Sequence, residues 1–220
     1  MAYEYSTLDL VQAELRATED FSSSTVPTAD DVTTWIQQES AEVNQVGGRI
    51  YGETTYSEVL DYKGEETLLT SNSPITTVTS VLYSTSSLGS DTYSLDVTKV
   101  EDTDYTVYKD SGELAILSNW TPSDGRKRIQ INYDAGFTDI PDTIEKLTTK
   151  KTAKRVIDTL LNKDINEKKS GKSVSVGSIS IVKPADFGVK QYQQLKTDIG
   201  QLEKDIIGGT SLYRLPLHRF

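Results

Sequence analysis

The stretch "RIQINYDAGFTDIPDTIEKL", residues 128–147, decides how the chain is built. Ile129, Ile131 and Tyr133 alternate with polar residues, the period-2 pattern of a strand with one face buried. Gly136 permits a bend that a side chain would resist. Pro141 lacks the N–H that is unpaired in a first helical turn anyway, so it suits the start of a helix. From there Ile144, Leu147, Val156, Ile157, Leu160 and Leu161 form one apolar stripe, predicting a helix over about 141–163. A β-region therefore closes at this joint and an α-region begins.

Working back from the joint, residues 49–139 are rich in Ser, Thr, Tyr and Val. Ten of the twelve tyrosines precede residue 140, and seven lie between 51 and 108. Candidate strands are 56–62, 66–70, 75–84, 92–97, 104–109, 113–118 and 127–134, with Asp110-Ser111-Gly112 as a hairpin turn. This predicts a small antiparallel sandwich or barrel.

Before it, 6–17 reads as a short helix with Leu8, Val11 and Leu15 on one face and Ser6 or Thr7 as cap. Residues 18–27 are a loop ending in Pro27. Thr28-x-x-Asp31 resembles a capping box and opens a helix over about 29–46 with the face Val32, Trp35, Ile36, Val43 and Val46. Gly47-Gly48 stops it.

Working forward, 164–172 is lysine-rich and reads as flexible. In 173–182 Val174 and Val176 alternate, then Ile179 and Ile181, with the parity changing across Gly177-Ser178. That is a two-residue hairpin with Gly first. An isolated hairpin is marginal in water, so it leans on the core or adds to a strand of a neighbouring subunit. A last helix over about 186–207 carries Tyr192, Leu195, Ile199, Leu202 and Ile206 at steps of 3, 4, 3, 4. Residues 208–220 follow a Gly-Gly stop with Leu212, Tyr213, Arg214, Leu215, Pro216, Leu217, Arg219 and Phe220. A tail of apolar and basic residues suits a docking peptide, or else a strap over the chain's own core.

The expected class is α+β. A small helical bundle, 1–48 with 140–207, is interrupted by a β-rich insertion at 49–139. The hairpin 173–182 belongs to the bundle, and 208–220 is a docking tail.

Composition narrows the chemistry. The chain has 220 residues, no cysteine and one histidine, His218. Thiolate metal sites, disulfides and multi-histidine zinc sites are therefore not expected. No HExxH, GxSxG or phosphate-binding glycine loop occurs, so neither cofactor nor catalysis is expected. The start MAYEYSTLDL has no basic run and no apolar core of a signal peptide, and no stretch nears the about 20 apolar residues of a membrane span. The net charge of −10 is uneven: −8 over 1–47, −8 over 48–139 and +6 over 140–220. An acidic bulk repels free nucleic acid, whereas the asymmetry suits head-to-tail association.

Local charge clusters have two readings each. Lys146, Lys150 and Lys154 lie at i, i+4, i+8, with Lys151 and Arg155 nearby, as a dock for an acidic partner or a solvated face. Arg126-Lys127-Arg128 grips phosphate or merely flanks a strand. Asp91, Asp96, Glu101, Asp102 and Asp104 supply oxygen ligands without the order of a calcium loop. Asn119-Trp120-Thr121 fits the glycosylation pattern, which is short enough to arise by chance.

Several segments taken in order resemble the head–tail adaptor (connector, head-completion) proteins of tailed phages and related viruses. They are Pro74-Ile75-x-x-Val78-x-Ser80-Val81, Asp104-Tyr105-Thr106-Val107, Gly112-Glu113-Leu114-Ala115-Ile116-Leu117, Ile129-x-Ile131-x-Tyr133-x-Ala135-Gly136-Phe137, Ile140-Pro141-x-x-Ile144 and Gly177-Ser178-Ile179-Ser180-Ile181. The likeness spans roughly 74–207. The large β-insertion departs from the short, mostly helical members of that family. The resemblance implies a non-enzymatic virion protein of the neck, made in the host cytoplasm. It would form a ring, commonly of twelve copies, under the portal protein, extend the DNA channel without sequence-specific contact, and offer a stopper or tail protein a landing surface. The C-terminal tail would reach into the portal, and the hairpin would pair subunits. Other readings are a neck stopper or tail-completion protein, and a tyrosine-rich module that binds carbohydrate or a surface. A carboxylate-based hydrolase would need two acids converging in a cleft.

Overall fold

The computed structural model describes residues 3–17, 19–85, 94–95, 97–169 and 187–207, without the side chains of 161–169 and 187–191. The fold is α+β, with four helices and two antiparallel sheets among the described residues. The chain divides into two compact units, Met1–Arg49 with Ile140–Phe220, and Ile50–Asp139.

The first unit is helical. Helix α1 (Leu8–Leu15) is capped by the Thr7 hydroxyl, which accepts from the Leu10 N–H. Helix α2 (Ala29–Gly47) opens on a full capping box: Thr28 and Asp31 each satisfy the other's backbone N–H. Helix α3 (Asp142–Lys169) starts one residue after Pro141, whose carbonyl accepts from the N–H groups of Ile144 and Glu145. It runs six residues beyond the helix expected from the apolar stripe. Of the lysine-rich segment 164–172, expected to be flexible, 164–169 continue the helix, because the straight-chain Glu and Lys among them are good helix formers, and 170–172 lie outside the described residues. Helix α4 (Phe187–Ile207) turns its 3-4-3-4 seam inward: Leu195 and Ile206 are buried, and Tyr192, Ile199 and Leu202 half-buried. Val11, Leu15, Phe21, Val32, Ile36, Ala153, Val156, Ile157 and Leu195 form the unit's apolar core.

Among its described residues the second unit holds seven strands: β1 (Thr54–Tyr62), β2 (Thr67–Leu69), β3 (Ile75–Tyr83), β4 (Val97–Lys99), β5 (Tyr105–Tyr108), β6 (Glu113–Ile116) and β7 (Gly125–Ala135). They form one sheet in the order β1-β7-β3-β4 and another in the order β2-β6-β5. Among the described residues they are two sheets and not one closed barrel, and both feed a single core. Ile129, Ile131, Tyr133 and Ala135 on β7 are all buried, as the alternation requires. Burying an isoleucine stabilises by about 1.5–3 kcal/mol, so this central strand anchors the sheet. Of the strand expected at 92–97, residues 92, 93 and 96 lie outside the described residues, and the short β4 begins at Val97. Its pairs are Val97–Tyr83, Thr98–Leu82 and Lys99–Val81. Asp110-Ser111-Gly112 does turn β5 into β6. Gly112 has φ +75°, and a Cβ there would meet the Thr70 hydroxyl at 2.6 Å.

The end of β7 is fixed from two sides. The Gly136 N–H donates to the Pro74 carbonyl at 2.9 Å, and the Phe137 N–H to the Tyr51 carbonyl at 2.8 Å. Gly136 takes φ +123°, and a Cβ would lie 2.5 Å from the Gly52 carbonyl oxygen. Glycine is needed for space as well as for conformation.

Candidate functional site

The lysine-rich middle of α3 is the most elaborated polar region among the described residues. The predicted stripe of Lys146, Lys150 and Lys154 does not form one surface. Lys146 is exposed and pairs with Asp142 one turn back, at 3.6 Å. Lys150 is drawn between α1 and α4, donating to Glu14 at 2.8 Å and Asp198 at 2.9 Å. Lys154 pairs with Asp158 at 2.9 Å and lies 5.2 Å over the Tyr192 ring. Two of the three lysines thus hold α4 within the unit.

Lys151, beside the stripe, is the centre of the arrangement. Its side chain is only 9% exposed and reaches Glu42 at 2.9 Å, Glu203 at 3.1 Å and Glu39 at 4.0 Å. It therefore ties α2 and α4 to α3. Arg155, a turn later, reaches Glu39 at 3.3 Å and lies 5.2 Å from the Trp35 ring. Burial works against the Lys151 charge, but the hydrogen bonds and charges of Glu42 and Glu203 outweigh it and hold its pKa above the ordinary value. Lys150 behaves alike: burial lowers it, and Glu14 and Asp198 more than restore it. Asp198 is pulled below its usual range, chiefly by the Lys150 hydrogen bond. Glu39 is pushed up by burial and then by its neighbour Glu42, despite two cations beside it. Three glutamates around one lysine and one arginine carry one negative charge more than the cations balance. Glu39 is where that excess falls.

Glu39 is absent from the sequence reading, and Lys151 enters it only beside the basic stripe, as part of a dock for an acidic partner or a solvated face. A signal did exist. Ile36, Glu39, Val43 and Val46 step by 3, 4, 3, which places Glu39 in the apolar seam of α2. Ile144, Thr148, Lys151 and Arg155 step by 4, 3, 4 on α3. Opposite charges at seam positions of two helices predict a pair across them. Thr148 and Thr152 are also fully buried, with hydroxyls lacking a hydrogen-bond partner.

Several residues of the remaining clusters have structural partners. Arg128 is buried and donates to the Ser84 carbonyl at 3.1 Å, so it braces β7. The Lys127 N–H donates to Asp61. In the acidic stretch, Asp104 pairs with Lys99 at 3.5 Å and accepts from the Val100 N–H at 2.9 Å, ordering its own loop. Asp91 and Asp96 lie outside the described residues, among which no group of three potential ligands could hold a metal ion. Asn119 donates to the Thr103 carbonyl. No described helix is long and apolar enough to cross a membrane.

The predicted subunit-pairing hairpin, with Val174, Val176, Gly177, Ile179 and Ile181, lies outside the described residues. So does the docking tail with Leu212, Tyr213, Arg214, Leu215, Pro216, Leu217, Arg219 and Phe220.

No family model and no curated protein matches the chain. Several solved structures resemble it, among them two from particle necks. One is from the neck of an empty GTA particle computed with C6 symmetry: 12% identity, 86% of this chain and 87% of that chain covered, TM-score 0.46. The other is from the neck of a native GTA particle computed with C12 symmetry: 10% identity, 89% and 94% covered, TM-score 0.44.

Proposed function

We propose that this chain is a structural, non-enzymatic protein of a phage-like particle, assembled as a ring beneath the portal in the neck. The observation that carries the reading is the ordered run of segments resembling head–tail adaptors, centred on the β7–Gly136–Pro141–α3 joint. The resembling residues coincide with core elements. Ile75–Val81 lies on β3, Tyr105–Val107 on β5, Leu114–Ile116 on β6 and Ile129–Ala135 on β7, while Ile144 lies on α3. They are residues that build a scaffold and not residues that react. The division into a helical unit and a β-unit agrees with an adaptor body carrying an insertion.

In this reading the helical unit and the tail 208–220 face the portal. The hairpin 173–182 pairs neighbouring copies, about twelve to a ring as the resemblance implies. The ring lengthens the channel for DNA, and its far side receives a stopper or tail protein. The net charge of −10 favours passage of DNA without adhesion. The test is co-purification with the portal protein of the same particle, full length against a chain ending at Gly209. Retention of the full-length chain with loss on truncation supports both the ring position and the tail's role. Retention of both moves the docking surface to the helices. Retention of neither overturns the reading, and glycan binding by the β-unit is then measured.

A further inference from the structure

We infer that α4 is an ionically latched helix, able to leave its seat on α3 while α1, α2 and α3 stay packed. Its contacts differ in kind from those of the other helices. The core between α1, α2 and α3 is apolar, with Val11, Leu15, Val32, Ile36, Val156 and Ile157 all buried. Among the described side chains of α4, 192–207, only Leu195 and Ile206 are fully buried, and the others are exposed or half-buried.

Besides these two side chains and the half-buried Tyr192, Ile199 and Leu202, the described residues join α4 to the unit through a ladder of lysines on adjoining turns of α3. Lys150 reaches Asp198, Lys151 reaches Glu203, and Lys154 covers the Tyr192 ring. Each of these α4 groups is partly exposed, Asp198 at 30% and Glu203 at 31%, so dissolved salt screens them. The same lysines keep partners elsewhere if α4 departs. Lys150 still has Glu14, Lys151 still has Glu42 and Glu39, and Lys154 still has Asp158. No buried cation is stranded by release, and stranding is the usual reason a charge-paired helix cannot leave. Local opening of an element at a cost below global unfolding is the general behaviour of weakly anchored helices.

The inference stands on the contacts of α4 alone and does not need the neck reading. The test is amide hydrogen exchange of the full chain at about 0.1 M and about 1 M NaCl, where the screening length falls from ~10 Å to ~3 Å. Amides of 192–207 are expected to lose protection about tenfold, the scale of two or three partly exposed ion pairs, while those of 144–157 change less than about twofold. The double variant Asp198→Asn, Glu203→Gln removes only the α4 side of the ladder. It is expected to exchange rapidly in α4 already at low salt and to lose most of the salt response. Equal loss of protection in α3 and α4 would overturn the inference. So would an α4 indifferent to salt, or a double variant that exchanges like the parent.

Discussion

Replacing Gly136 with alanine tests the joint on which the chain's two-part construction depends. The residue has φ +123°, a backbone state that costs an L side chain about 1–3 kcal/mol. The new Cβ would lie 2.5 Å from the Gly52 oxygen, 2.8 Å from the Gly52 carbonyl carbon and 3.0 Å from the Glu53 Cα, all backbone atoms. Main chain cannot yield as a flexible side chain does, so overpacking adds about 1–3 kcal/mol. Together these give a destabilisation of about 4 kcal/mol. With a urea dependence of about 2 kcal/mol per molar, the midpoint falls by about 2 M. The two tryptophans separate the units, Trp120 in the β-unit and Trp35 in the helical unit. In a Trp35→Phe background, Trp120 fluorescence therefore follows the β-unit alone. A Gly136→Ala midpoint within about 0.3 M of the parent would refute both the strain and the steric argument.

Gly200→Ala is the matched control: nothing lies within 4 Å of its Cβ position on α4, so urea unfolding should show an unchanged or stabilised helical unit, by up to about 1 kcal/mol. Glu58→Ala removes the acceptor for the Tyr133 hydroxyl, the Ser71 N–H and the Asn72 side chain. It is expected to cost about 2–4 kcal/mol, measured by Trp120 unfolding, and a shift under about 0.5 kcal/mol would contradict that network. Burial pushes the Tyr105 hydroxyl up to about 12, with nearby Glu101 and Asp104 adding to it, and burial with the Glu58 hydrogen bond raises Tyr133 further. Phenol absorbance during alkaline titration should therefore leave these two protonated after the exposed tyrosines ionise. Because the folded values exceed the unfolded value near 10, the stability they supply is complete below pH about 10 and is lost as pH rises toward and past about 12. At the acid end Asp198 is depressed, so its contribution is present above its ordinary range and is lost as pH falls below it. Glu39 is raised and has the opposite sign, so Glu39→Gln should reduce the penalty for keeping a carboxylate there at neutral pH, read as a higher melting temperature at pH 7 than at pH 4 relative to the parent.

Local periodicity carried most of the architecture. The alternation Ile129, Ile131, Tyr133 announced the central strand, and the 3-4-3-4 steps of Tyr192 to Ile206 announced the inward seam of α4. Both signals depend only on which residues lie within a few positions of one another. The polar centre was less legible because its partners are distant in sequence. Lys151 meets Glu42, more than a hundred residues earlier in the chain, and the seam positions of Glu39 and Lys151 signal a charge pair without saying which residues meet. Arg128 had two readings, a phosphate grip or a strand flank, and the spacing alone did not show that its side chain donates inward to the Ser84 carbonyl. The length of α3 was underestimated because apolar spacing ends before the helix does. Propensity continues it where packing no longer marks a face.

The central claim is that many copies of this chain form a ring on a portal. The most direct measurement is electron microscopy of the purified portal protein alone and after incubation with the full-length chain. The account predicts side views with a second tier below the portal and end views with one rotational order throughout, about twelvefold. Portal particles unchanged by excess chain would contradict it.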